Sequence, residues 1–182
     1  MAVALRALAP CLDTPVGEVG IGPDGESRDR HADDQGERAQ ARDEWARDRM
    51  AAARVARLAT VGDDGRPHLV PVTFALEGER IVTAVDHKPK SGAWLRRLRN
   101  IQVNPNVCVL VDHYDEDWTA LWWVRADGFA TILDGEDERA PALLAPLVAK
   151  YPQYRPQPPT GPLIVVQVTH YSTWSALPTS PT

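Results

Sequence analysis

RVARLATVGDDGRPHLVPVTFAL, residues 54–76, is the most telling stretch of this chain. Two runs suited to extended backbone, Arg54 to Val61 and Pro67 to Leu76, flank the turn-forming residues Gly62-Asp63-Asp64-Gly65. In the second run Val70, Val72, Phe74 and Leu76 alternate with Leu69, Pro71, Thr73 and Ala75, a period of two that sends each set to its own face. The pattern predicts a β-hairpin.

Downstream the same grammar repeats. Glu77-Gly78 turns the chain into a strand over Arg80 to His87. A helix is predicted over Gly92 to Gln102, with Trp94, Leu95, Leu98 and Ile101 on one apolar stripe and Arg96 and Arg99 on a shared polar face. Asn104-Pro105 ends it. Val107 to His113 is a near-continuous apolar run, expected to be covered on both faces. The turn Asp115-Glu116-Asp117 leads into a long strand from Trp118 to Leu133, in which Gly128 marks a bulge or a close approach. A second helix over Glu136 to Lys150 offers Leu143, Leu144, Leu147 and Val148 to a core. A Pro-rich connection over Tyr151 to Pro162 is too long for idle filler, and Leu163 to Trp174 forms the last strand. Ahead of the hairpin, Trp45, Met50 and Ala53 place a short amphipathic helix over Asp43 to Arg54.

Six strands joined mainly by tight turns, without βαβ alternation, predict a mainly β (α+β) fold: an antiparallel barrel with flanking helices. The folded domain is expected over residues 43–177, with a short tail over 178–182. Thr14 to Gln40 is nearly empty of large apolar side chains, so residues 1–42 are expected to form a disordered extension. Leu8-Ala9-Pro10-Cys11 superficially suggests a lipoprotein leader, but Arg6 interrupts its apolar run and Pro10 stands where a small flexible residue is needed.

The 182 residues suit one domain, and a 43% hydrophobic share with 25% charged residues is ordinary for a globular protein. A net charge of −5 argues against a nucleic-acid or membrane-surface binder, because both need a broad positive field. Cys11 and Cys108 make neither a disulfide framework nor a zinc site, and a reducing cytoplasm fits them best. No GxGxxG or GxxxxGK[ST] loop occurs.

Against that acidic background, Lys88, Lys90, Arg96, Arg97 and Arg99 crowd into the join between two strands, and the only other lysine is Lys150. Pro89 holds its neighbours extended, so Lys88 and Lys90 share a face. The cluster suits capture of a phosphate, although an isolated basic cluster of this kind is often just a solvated loop.

Taken together, several motifs in order resemble the split β-barrel flavin and deazaflavin oxidoreductases related to pyridoxamine 5'-phosphate oxidase. They are Arg54 to Val61, Asp64-Gly65-Arg66-Pro67-His68, Val70-Pro71-Val72-Thr73-Phe74, Asp86-His87-Lys88-Pro89-Lys90, Leu98-Arg99-Asn100-Ile101 with Asn104-Pro105, Asp112 to Trp118, Leu121 to Arg125, and Lys150-Tyr151-Pro152. The similarity is greatest to the branch that uses the deazaflavin coenzyme F420, and it runs from about Asp43 to Leu177. The resemblance implies a six-stranded split barrel that is FMN-binding or PNPOx-like, and a homodimer whose groove holds the cofactor. It further implies a hydride passed from reduced F420 to a small conjugated acceptor, with FMN as the alternative cofactor and a non-catalytic deazaflavin carrier as a third possibility. Carried over by position, it makes Lys88 and Lys90 phosphate or carboxylate contacts and Ser91 a hydroxyl donor; His87, beside Lys88, is the one histidine expected near the cofactor. Val70, Val72 and Thr73 would lie along its ring. Arg97 stands where the wider superfamily has lysine, a change that keeps charge but alters geometry.

Other candidates have blander readings. Consecutive acids from Asp112 to Asp117 point in different directions, which argues against a metal site. His68, His87, His113 and His170 lack a Ser or Cys nucleophile in a recognisable setting, and no side chain stands out as a general acid. Trp118, Trp122 and Trp123 are expected to pack the barrel and a dimer interface, since adjacent strand residues face opposite sides. The apolar bulk of Leu69, Pro71, Val109, Val111, Trp122 and Trp123 is expected to exceed what one interior holds.

Overall fold

A computed structural model describes residues 25–85 and 95–177, with side chains from residue 35 onward. The chain divides into two compact units, residues 1–35 and 36–182. Helix α1, Gly25–Ala52, is followed by β1 (Ala56–Val61), β2 (Pro67–Val72), β3 (Ala75–Glu77), β4 (Arg80–Ala84), α2 (Arg96–Val103) and β5 (Asn106–His113). A 3-10 turn, Trp118–Ala120, precedes β6 (Trp122–Leu133); α3 (Ala140–Lys150), a second 3-10 turn (Pro152–Tyr154) and β7 (Leu163–Ser175) complete the order.

The strands form one antiparallel sheet in the order β2-β1-β5-β6-β7-β4-β3. Its two edge strands are consecutive in the chain, joined only by Thr73 and Phe74. Laid flat, seven strands put those edges roughly 29 Å apart at about 4.8 Å per step. The link from Val72 to Ala75 reaches roughly 11 Å at full extension. The sheet must therefore curl until its edges meet, and the fold is the split barrel expected from the sequence.

Seven strands replace the six expected because the run Pro67 to Leu76 is two strands. Its first part pairs with β1 and its last part with β4, on opposite edges, and Thr73-Phe74 turns the corner between them. The Gly62 to Gly65 turn closes the first hairpin with Gly65 at φ 68, and Gly78 turns the second at φ 58, backbone that glycine adopts without a Cβ penalty. The expected strand over Trp118 to Leu133 begins at Trp122, after the 3-10 turn. Gly128 does mark a bulge: the β6–β7 register shifts between Asp127 and Gly128, and a Cβ on Gly128 would run into the Gln167 carbonyl.

Inside the curl lie Leu58, Phe74, Ile81, Val109, Val111, Val124 and Val166, closed over by Ala46 and Met50 of α1 and by Leu98 and Ile101 of α2. A second cluster packs Leu147 and Tyr151 against Val82, Ala84 and Leu163. Three expectations are corrected here. First, β5 is not covered equally on both faces: Val107, Val109 and Val111 are buried while Cys108 and Leu110 are half-exposed. Second, Val109, Val111 and Trp122 belong to the interior, Trp122 meeting Trp45 edge to face at 6.1 Å; α1 supplies the extra lining that accommodates them. Third, α1 starts at Gly25 rather than Asp43, its early residues being helix-permissive Glu, Arg, Ala and Gln without proline. Among the described residues no helix is long and apolar enough to cross a membrane.

Candidate functional site

At the Thr73-Phe74 corner the backbone leaves one ladder before joining the next, so its polar groups need other partners. Tyr151 supplies them. Its hydroxyl oxygen accepts from the Phe74 N–H at 3.1 Å and stands 2.8 Å from the Phe74 carbonyl and 2.9 Å from that of Arg54, to either of which it donates. Burial raises the Tyr151 pKa, opposed by the Phe74 hydrogen bond and by the Arg54 charge. Three residues on, the Tyr154 hydroxyl lies 2.8 Å from Thr73 Oγ1. The 3-10 turn started by Pro152 sets the two rings 5.8 Å apart at 60°. The connection after α3 thus reaches back to brace the corner.

A cleft of about 630 Å³ opens against this brace, lined by Val72, Thr73, Thr83, Arg97, Tyr151 and Tyr154 among others. Its size falls in the range of small-molecule sites. An apolar and aromatic wall, the hydroxyls of two threonines and two tyrosines, and the Arg97 guanidinium suit a flat conjugated ring carrying an anionic group. The residues present fit a flavin-like cofactor on those grounds.

Arg97 reaches the cleft because of how α2 is rotated. Asn100, buried on the same helix, donates from Nδ2 to the buried Thr60 Oγ1 at 3.0 Å, and Leu98 and Ile101 face the core. That anchoring sends Arg97 to this cleft and leaves Arg96 and Arg99, three residues apart, on another face. The positive field of the helix is felt on β2, where burial and then Arg96 and Arg97 lower the His68 pKa. Behind the brace, Lys150 Nζ is buried 4.1 Å from the Phe74 ring centroid, and burial with the nearby Arg54 charge lowers its pKa to about 8.

Of the residues singled out from sequence, Val72, Thr73 and Arg97 line one cleft. Val70 packs against the core and is not part of that lining. His87, Lys88, Lys90 and Ser91 lie outside the described residues. The acids of the β5–β6 turn hold their own backbone: Asp115 accepts from Asp117 N at 3.1 Å and Asp117 from Thr119 N at 3.0 Å. Among the described residues no group of His, Cys, Asp or Glu is placed to hold a metal ion. Sequence reasoning passes over Tyr154 and Thr83. The available signal for the former is a pair of tyrosines three apart, flanking Pro152, at the start of an overlong connection.

Comparison with solved structures finds the same fold at low identity. The conserved hypothetical protein Rv2991 from Mycobacterium tuberculosis matches with a TM-score of 0.57 and 21% identity, over 75% of this chain and 88% of that one. HutZ, the heme storage protein from Vibrio cholerae, matches with a TM-score of 0.56 and 18% identity, over 75% and 94%. A FAD-binding protein from Mesorhizobium loti matches with a TM-score of 0.52 and 20% identity, over 68% and 86%. No curated protein matches by sequence. The family model described as pyridoxamine 5'-phosphate oxidase matches residues 42–175, which take in the curled sheet, its braced corner and the cleft, and the chain belongs to that family.

Proposed function

We propose that this protein is a cytoplasmic oxidoreductase that binds the deazaflavin F420 in the cleft at the Thr73-Phe74 corner and reduces a small conjugated acceptor. The observation that carries the reading is the convergence of Val72, Thr73, Arg97 and Tyr154 on one cleft of cofactor size. When bound, the reduced deazaflavin supplies the hydride; the protein supplies binding, orientation and electrostatics. Val72 and the tyrosine rings offer the apolar surface for a conjugated ring. Arg97 offers a bidentate donor to an anionic group, joined in this reading by Lys88, Lys90 and Ser91. Thr73 and Tyr154 present hydroxyls that donate to or accept from a polar edge. A homodimer whose groove completes the cleft belongs to the same proposal.

A second reading, a flavin enzyme using FMN, is supported by the FAD-binding protein of Mesorhizobium loti that shares the fold. Equilibrium titration of the purified chain with F420 and with FMN separates the two. Tighter binding of F420, followed by acceptor-dependent oxidation of its reduced form, is the expected result. Preference for FMN transfers the proposal to the flavin reading, and tight F420 binding without turnover on any acceptor makes the protein a carrier. A Lys88→Ala, Lys90→Ala double variant is expected to fold normally and lose at least about tenfold in cofactor affinity, since charge-assisted bonds to an anion matter more than exposed charges do to folding. Unchanged affinity would remove both lysines from the site.

A further inference from the structure

Arg96 and Arg99 are left without a role by the cofactor cleft, yet both line a second hollow of about 590 Å³ between α2 and the Gly62 to Gly65 turn. Arg66, entering β2 from that turn, lines it as well. Guanidinium groups from two separate elements therefore converge on one cleft in a chain of net charge −5. Such like charges repel, and a fold that gathers them needs a compensating anion or open solvent. Asp63 and Asp64 line it too, and Asp64 compensates in part, with Oδ2 3.2 Å from Arg96 Nη2; three guanidinium groups against two carboxylates leave the cleft with an excess of positive charge. Among the described residues no carboxylate pairs with Arg66 or Arg99.

The floor is built rather than incidental. Asn100, tied to Thr60, lies directly beneath Gly62, where an added Cβ would stand 2.7 Å from Asn100 Oδ1. This packing brings the turn close to α2 and sets the distance across which the arginines face each other. Asp64 has a second task in the same turn, its Oδ1 accepting from Arg66 N at 3.0 Å, so the carboxylate fixes the approach of Arg66 while it restrains Arg96.

We propose that the cleft between α2 and the β1–β2 turn is a second binding site, separate from the cofactor cleft, for an anion carrying two or more phosphoryl or carboxylate groups. One anionic group would bridge Arg66 and Arg99, and a second would compete with Asp64 for Arg96. Arginine is suited to this because its planar fork pairs two-for-two with either oxyanion. The site does not depend on which cofactor the first cleft takes.

The test is calorimetric titration of the full chain with pyrophosphate and, separately, with citrate. The equivalent that belongs to this cleft is the one lost in Arg66→Gln with Arg99→Gln; it is expected to weaken with added salt, and whichever probe fills it more tightly identifies phosphoryl or carboxylate as the preferred group. Arg66→Gln with Arg99→Gln, both exposed and so expected to fold, should reduce affinity at least about tenfold. Asp64→Asn keeps the Oδ1 acceptor for the turn but removes the competing charge, and should tighten binding several-fold. Saturation with FMN, whose single phosphate belongs to the cofactor cleft, should leave that arginine-dependent equivalent unchanged. Absence of binding by either probe, affinity indifferent to the arginines, or displacement of that equivalent by FMN would overturn the proposal; only the last of these would speak to the cofactor cleft.

Discussion

Replacing Tyr151 with Phe removes one oxygen and strands the polar backbone of Phe74 at the corner where the sheet changes edge. Leaving such buried groups without partners costs about 1–3 kcal/mol, and chemical denaturation of Tyr151→Phe is expected to show a loss of that size. Tyr154→Phe should cost less, because its partner Thr73 is only half-buried and can turn to water. Lys150 carries a pH signature. An unfolded lysine titrates near 10.5 and Lys150 in the fold at about 8, so between those values the unfolded chain holds more protons and stability rises with pH. Below about 8 both states are charged and the full cost of burying the ammonium is present, offset only in part by the Phe74 ring. Lys150→Met is therefore expected to raise the melting temperature at pH 7, with the gain shrinking as pH climbs from 8 to 10.5. A difference between the two proteins that does not change with pH would contradict this account.

Elements with a strict period were legible in the sequence, and the devices that join them were not. The alternation through Val70, Val72 and Phe74 announces a strand, yet nothing in that period says that the chain changes partner at Thr73, because side chains alternate across a corner much as along a strand. The partner that satisfies the corner lies far downstream at Tyr151, a contact no local pattern encodes. For α2 the stripe of Leu98 and Ile101 gave the buried face correctly, whereas Arg97 was singled out only through the family resemblance; the Asn100–Thr60 bond that fixes the rotation is a long-range pairing of two polar residues that local periodicity leaves unspecified. Gly128 was readable because a lone glycine in a strand has few other uses. Its substitution tests the element directly. Gly128→Ala forces a methyl against the Gln167 carbonyl, and the β6–β7 ladder must shift to admit it, so the melting temperature is expected to fall by several degrees. An unchanged melting temperature would mean that the bulge absorbs a side chain freely.

At the scale of the whole molecule, what matters is the sheet face turned away from the core. Leu69 is 62% exposed and Phe129 51%, and on the same face Pro71, Cys108, Leu110, Trp123 and Trp174 extend the apolar surface. Among them sit two ion pairs, Arg57 with Asp112 and Arg125 with Asp127. Apolar residues on four of the five neighbouring strands from β2 to β7, punctuated by paired charges, have the composition of an interface core rather than of a solvated sheet. A twofold interface, in which this face meets its own copy, is the commonest way for a chain to cover such a surface. The proposed homodimer therefore predicts a dimer mass by light scattering at micromolar concentration. Leu69→Glu with Phe129→Glu changes two exposed side chains that the monomer's core does not use, so the double variant should fold but scatter as a monomer. If the partner completes the cofactor cleft, that monomer should also lose most of its cofactor affinity. A wild-type monomer that binds cofactor one to one would refute both the dimer and the shared groove, while a dimeric double variant would place the interface on another face.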